Sequence, residues 1–154
     1  MKGQLLRKFV LVISVVILFS ISAQAFAAEP RATYYIESQG GSITRGTDNI
    51  FTIHYTVSAN RVMDRIGVYY IQIQRSTDQE NWTPESTLHS SSYPEWMNEN
   101  SMGNMGSTTY SGTRGYYYRA KIGFLAKIGS DSETTYKYTN TIYIPQSGNG
   151  GRTN

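Results

Sequence analysis

Residues 49–57 read Asn49-Ile50-Phe51-Thr52-Ile53-His54-Tyr55-Thr56-Val57, and they alternate: Phe51, Ile53, Tyr55 and Val57 on one side, Thr52, His54 and Thr56 on the other. An extended chain points successive side chains to opposite faces, so a period of two sets one row against a core and the other in water. Working outward, residues 66–75 alternate as well, with Tyr69, Ile71 and Ile73 opposite Val68, Tyr70, Gln72 and Gln74. Residues 116–126 place Tyr116, Tyr118, Ala120, Ile122 and Phe124 inward and Tyr117, Arg119 and Lys121 outward. Residues 139–144 turn Ile142 and Ile144 in and Tyr143 out, and weaker strands fit 33–37, 82–89 and 108–110. Gly40-Gly41, Gly46, Asn60, Gly112 and Gly115 supply turn chemistry between them. Residues 93–106, rich in Asn, Met and Gly, read as a long irregular loop. The fold class that follows is all-β, an antiparallel β-sandwich of about seven strands. A charge on an inward position, as in Ile71→Asp or Ile122→Asp, is expected to prevent folding.

Ahead of these strands, Lys2, Arg7 and Lys8 precede an apolar run over residues 9–22, followed by Ala23, Ala25 and Ala27. This is the pattern of a signal-peptide helix over residues 1–27, cleaved after Ala27 or, nearly as well, after Ala25. The run is shorter than the roughly 20 residues that span a bilayer, although retention as an uncleaved anchor is the other reading. Export makes the expected location secreted and extracellular, with signal peptidase as the processing partner. Residues 28–145 then form the sandwich domain. Residues 146–154, with glycines and no apolar side chain, read as a disordered tail.

Charge and composition narrow the function. Of 14 Lys and Arg residues three lie in the leader, and the 11 that remain balance 11 Asp and Glu. A neutral domain lacks the basic excess that tracking a phosphate backbone requires, so nucleic acid is not an expected partner. The absence of Cys excludes disulfides, thiol catalysis and Cys-based metal centres together.

Three segments carry a resemblance. Ser76-Thr77-Asp78-Gln79-Glu80-Asn81-Trp82 resembles the hairpin of fibronectin type III and immunoglobulin-like modules, in which a Ser-x-Asp turn leads into a Trp. Gln79 stands where those modules usually have the glycine that takes a positive φ. Tyr116-Tyr117-Tyr118-Arg119-Ala120 resembles the sixth strand of such modules, and residues 138–144 resemble the last. The implied architecture is a single immunoglobulin-like, fibronectin type III-like sandwich. The heptapeptide also approaches the aspartate box of sialidase propellers, but it is one residue short of the Trp and occurs once, so it reads as a turn. Over residues 30–144 the chain is similar to a family of small predicted secreted proteins of Gram-positive, chiefly clostridial, bacteria. Pro30-Arg31-Ala32, residues 63–67, the Ser-Thr-Asp turn and Gly112-Thr113-Arg114-Gly115-Tyr116-Tyr117 carry that similarity. It implies location and fold and no active residue.

No arrangement of reactive side chains points to an enzyme. His54 and His89 are the only imidazoles, and neither stands in a motif with a nucleophile or at metal-ligand spacing. Asp131 with Glu133, and Glu95 with Glu99, are carboxylate pairs without a visible cleft. Met97, Met102 and Met105, with His89, offer soft ligands for Cu(I); the plainer reading is that these methionines fill irregular space. No cofactor or metal is therefore expected. The tyrosines are more informative. If the second, third and last strong strands share a sheet, as the resemblance implies, Tyr70, Tyr117 and Tyr143 form an outward aromatic row. Trp96 joins them as a candidate, unless it folds back over an open end of the sandwich. The expected function is a secreted, non-catalytic binding module for a cell-wall glycan or an extracellular protein. The alternative is a bacteriocin-like or toxin-like β protein acting on membranes or competitor cells.

Overall fold

A computed structural model describes residues 34–146. The leader expected over residues 1–27, and the expected tail beyond Gln146, lie outside the described residues. Seven strands are present: β1 (Ile36–Arg45), β2 (Ile50–Ser76), β3 (Thr83–His89), β4 (Met97–Ser111), β5 (Tyr116–Ile128), β6 (Asp131–Tyr138) and β7 (Ile142–Ile144). All pairings are antiparallel, and one hydrogen-bonded sheet connects every strand.

The organising element is β2, a single strand where the sequence reading expects two strands and a turn at Asn60. Its first half lies between β1 and β4, and its second half between β5 and β3. The strand runs on through Asn60, whose backbone N–H donates to the Tyr35 carbonyl and whose side chain donates to that of Tyr34. The ladder to β4 shifts register between Ser58 and Met63. A second irregularity, between Val68 and Tyr70, resets the alternation. Ile66 and Val68 are therefore buried on one side of it, and Ile71 and Ile73 on the other. Val68, expected outward, belongs to the core for this reason.

Phe51, Ile53, Tyr55 and Val57 share one buried cluster with Tyr118, Ala120, Ile122 and Phe124 of β5, and the Phe51 and Tyr118 rings lie 5.1 Å apart. Each fully buried Ile or Phe contributes roughly 1.5–3 kcal/mol. The Gly40-Gly41 pair, expected as a turn, sits inside β1. A Cβ on Gly41 would come within 2.6 Å of Ile122 Cδ1, so the glycine lets β1 lie close over the core.

Side chains fasten β1 to the β6–β7 side of the fold. The Glu133 carboxylate accepts the N–H groups of Tyr35 and Ile36, the second at 2.9 Å. Gln39 Nε2 donates to Thr135 Oγ1 at 3.1 Å, and the Asn140 carboxamide bonds both polar groups of Ile43. Asp131 and Glu133, expected in a Ser-rich turn, thus belong to a strand the sequence reading missed. The expected loop over residues 93–106 is a short 3-10 turn, Pro94–Trp96, running into β4.

Candidate binding face

The outer side of β2, β5, β6 and β7 gathers aromatic and cationic side chains. The alternation that buries Ala120 and Ile122 turns Arg119 and Lys121 outward, and register sets their neighbours. Gln74 pairs with Arg119 and Gln72 with Lys121 across β2 and β5. Lys121 pairs with Tyr138, and Gly123 with Tyr136, across β5 and β6. Tyr117 pairs with Tyr143 on β7. Tyr136, Tyr138 and Tyr143 are 55%, 40% and 41% exposed, so their rings are accessible to a partner.

Arg119 is the centre of the group. Its guanidinium carbon lies 4.3 Å from the Trp82 ring centre and 4.5 Å from that of Tyr138. Its Nε donates to Gln74 Oε1 at 2.8 Å, and Gln74 Nε2 donates in turn to Gln72 Oε1 at 2.9 Å. Lys121 Nζ stands 4.1 Å from the Tyr136 ring centre. Such cation–ring contacts contribute about 0.5–1 kcal/mol at exposed sites and hold long side chains that would otherwise sample many rotamers.

The β2–β3 hairpin delivers Trp82 to this face. Its indole N–H donates to the Gln79 carbonyl at 2.9 Å. Asp78 organises the turn: one carboxylate oxygen accepts the N–H groups of Glu80 and Asn81 and the Ser76 hydroxyl, and the other accepts Asn81 Nδ2. These bonds, those of Asn81 first, hold the Asp78 carboxyl well below the usual carboxylate range. Gln79 adopts φ of 64°, the conformation for which the sequence reading marks a missing glycine.

At the other end of the face, Tyr69 and Tyr70 lie edge to face with ring centres 4.7 Å apart. The Tyr70 ring covers Gly123 so closely that a Cβ there would lie 2.1 Å from Tyr70 Cε1. Burial, more than the adjacent Tyr70, raises the Tyr69 phenol above its ordinary value, and Lys121 opposes the shift.

The structure brings Tyr117 and Tyr143 together, with ring centres 4.8 Å apart. Tyr70 shares their face but lies farther along β5, opposite Gly123, roughly 20 Å away at about 3.3 Å per residue. The interval holds Arg119 and Lys121, so the surface is a mixed cationic and aromatic platform, not a row of adjacent tyrosines. Trp96 is not on it. The indole is fully buried in the core cluster, stacked on Tyr93 at 4.4 Å and edge-on to Tyr55. Sequence reasoning missed Trp82, Arg119, Lys121, Tyr136 and Tyr138 as members of one site. The signal was present in the outward phase of residues 119 and 121 and in the two-residue spacing of Tyr136 and Tyr138.

A groove of about 730 Å³ crosses β1, β2 and β4 at Gly40, His54, Thr56 and Met105. Its imidazole, His54, lies 3.1 Å from the Thr44 hydroxyl. Met97 pairs with Gly67 and Met105 with Thr56, while His89 pairs with Tyr70 on β3, so the methionines and His89 do not converge. Among the described residues no three His, Asp or Glu side chains gather in a metal-binding arrangement. No protein-family model, curated protein or solved structure matches the chain.

Proposed function

We propose that the chain is a secreted, non-catalytic module that binds a glycan of the cell surface through the outer face of β5 and its neighbours. The observation that carries this reading is the set of aromatic rings, Trp82, Tyr117, Tyr136, Tyr138 and Tyr143, arranged on one face around Arg119 and Lys121. Aromatic faces cover the apolar C–H surfaces of sugar rings, and phenols, glutamines and cations bond the hydroxyls, at low side-chain entropy cost. The signal-peptide pattern expected at residues 1–27 supports an extracellular setting. The framework proposed is an immunoglobulin-like sandwich, supported by the Ser76–Trp82 hairpin, with the distinctive feature that β2 serves both halves.

The test is retention of the exported protein on purified cell-wall polysaccharide. Tyr136→Ala combined with Tyr138→Ala removes two exposed rings whose loss leaves the core untouched. The double variant is expected to keep a thermal midpoint close to that of the parent and to lose retention. Retention equal to the parent's would overturn the reading. Tyr70 is left intact because its ring fills the space over Gly123.

A further inference from the structure

We infer that the ligand of this face is anionic: an acidic polysaccharide whose carboxylate or phosphodiester oxygens dock on the Nη edge of Arg119, with a second anionic group at Lys121. The inference rests on the glycan reading above and adds the charge of the ligand.

The geometry of Arg119 is the first argument. A guanidinium carries five N–H donors in a plane, and here Nε–H is committed to Gln74. Trp82 and Tyr138 both lie within 4.5 Å, so the side chain is held by stacking as well as by that bond. The terminal nitrogens make no hydrogen bond to any described residue. An arginine with its stem fixed and its fork free is organised in advance for bidentate recognition of a planar oxyanion, which lysine cannot reproduce.

Charge complementarity is the second. The ion pairs among the described residues are Arg75 with Glu85 and Arg114 with Asp48. Arg119 and Lys121 therefore have no described carboxylate oxygen within 4.0 Å. They stand two residues apart on one face of β5, about 7 Å along the strand, a separation suited to successive charged units of a polymer. The processed chain balances 11 basic against 11 acidic residues, so this charge is a local feature and not part of a general cationic surface. A local pair of cations flanked by rings fits an acidic glycan better than a nucleic acid, whose affinity comes from many phosphate contacts.

The experiment compares retention of the exported protein on polygalacturonate, on its methyl ester and on a glycerol-phosphate teichoic acid. The ester keeps the sugar rings and removes the charge; the first and third separate carboxylate from phosphodiester as the source of the anion. The expected result is binding to at least one acidic polymer, weakened by added salt, with the ester bound at least about tenfold more weakly. Arg119→Lys, which keeps the charge but not the fork, is expected to weaken that binding by roughly tenfold or more, as loss of a charge-assisted bond does. Lys121→Gln lies outside the Trp82–Gln74 clamp and is expected to reduce both affinity and salt dependence with the thermal midpoint unchanged. Equal retention on the acid and its ester overturns the inference and leaves the glycan reading standing. Retention on none of the three polymers overturns the inference, and the glycan reading falls with it only if retention on purified cell-wall polysaccharide is lost as well. Acid-selective binding that neither variant weakens shows that the anion docks elsewhere, and the assignment to Arg119 and Lys121 falls.

Discussion

The carboxamide of Asn140 grips both backbone polar groups of Ile43: its Oδ1 accepts the Ile43 N–H at 2.8 Å and its Nδ2 donates to the Ile43 carbonyl at 2.9 Å. A side chain does here what a neighbouring strand would otherwise do for β1. Since Ile43 is buried, truncating Asn140 strands a donor and an acceptor together. Asn140→Ala is expected to cost about 1–3 kcal/mol in urea unfolding. Asn140→Asp keeps the acceptor but sets a carboxylate oxygen against the Ile43 carbonyl, so a cost at least as large is expected near neutral pH. An alanine variant as stable as the parent would show that water replaces the carboxamide at this seam.

Tyr70 and Gly123 form a second coupled pair. Gly123→Ala forces the Tyr70 ring off the strand and should destabilise the fold, because the ring lies where the new methyl group must go. In a Tyr70→Ala background that conflict is gone, and the same glycine substitution is expected to cost far less. A double-mutant cycle should therefore give a coupling energy of roughly 0.5–3 kcal/mol. Additive effects of the two substitutions would remove the argument for keeping Tyr70 in the binding tests.

How much of this is legible in the sequence divides along physical lines. The alternation in residues 49–57 and 116–126 identifies buried and exposed rows correctly, because a period of two reports which face meets the core whatever the strand pairs with. The bulge near Tyr69 is invisible to that test, since one extra residue reverses the phase without changing composition, and strict alternation therefore puts Val68 on the wrong side. Most of β4 beyond the weak strand expected at 108–110 is hidden for a different reason. Its Asn, Gly and Ser residues have low strand propensity, but its pairing with the long β2 overrides propensity. Of the site, Tyr117, Tyr143 and the outward phase of Arg119 are readable. The clamp on Arg119 is not, because Trp82, Gln74 and Tyr138 come from three separate elements and only register brings them together.

Gln79 holds a left-handed conformation, φ of 64°, at the tip of the β2–β3 hairpin. A residue with a Cβ is disfavoured there by about 1–2 kcal/mol, and glycine avoids this at an entropic cost of roughly 0.5–1 kcal/mol. Gln79→Gly is expected to raise stability by up to about 1 kcal/mol, and the β-branched Gln79→Val to lower it. Trp82 bonds only the backbone carbonyl of residue 79, so ligand retention should survive the glycine substitution. A Gln79→Gly variant less stable than the parent would mean that the glutamine side chain supports the turn.

Asp78 gives the hairpin a pH dependence with a defined sign. Its carboxyl is depressed in the folded chain relative to the ordinary 3.8, chiefly by the Asn81 side-chain and backbone bonds, so the folded state favours the anion. The resulting stability is fully present above pH 3.8 and is lost as the pH falls below that value toward the folded pKa. Asp78→Asn cannot ionise and loses the acceptor that receives Asn81 Nδ2. Its thermal midpoint should lie below the parent's near neutrality, and the gap should narrow on acidification below 3.8, where the parent loses the same advantage. Because the turn orients Trp82 against Arg119, Asp78→Asn should also retain ligand less well than the parent near neutrality. A stability gap that stayed constant through the acid range would show that the Asp78 bonds belong to a turn that forms equally well without its charge.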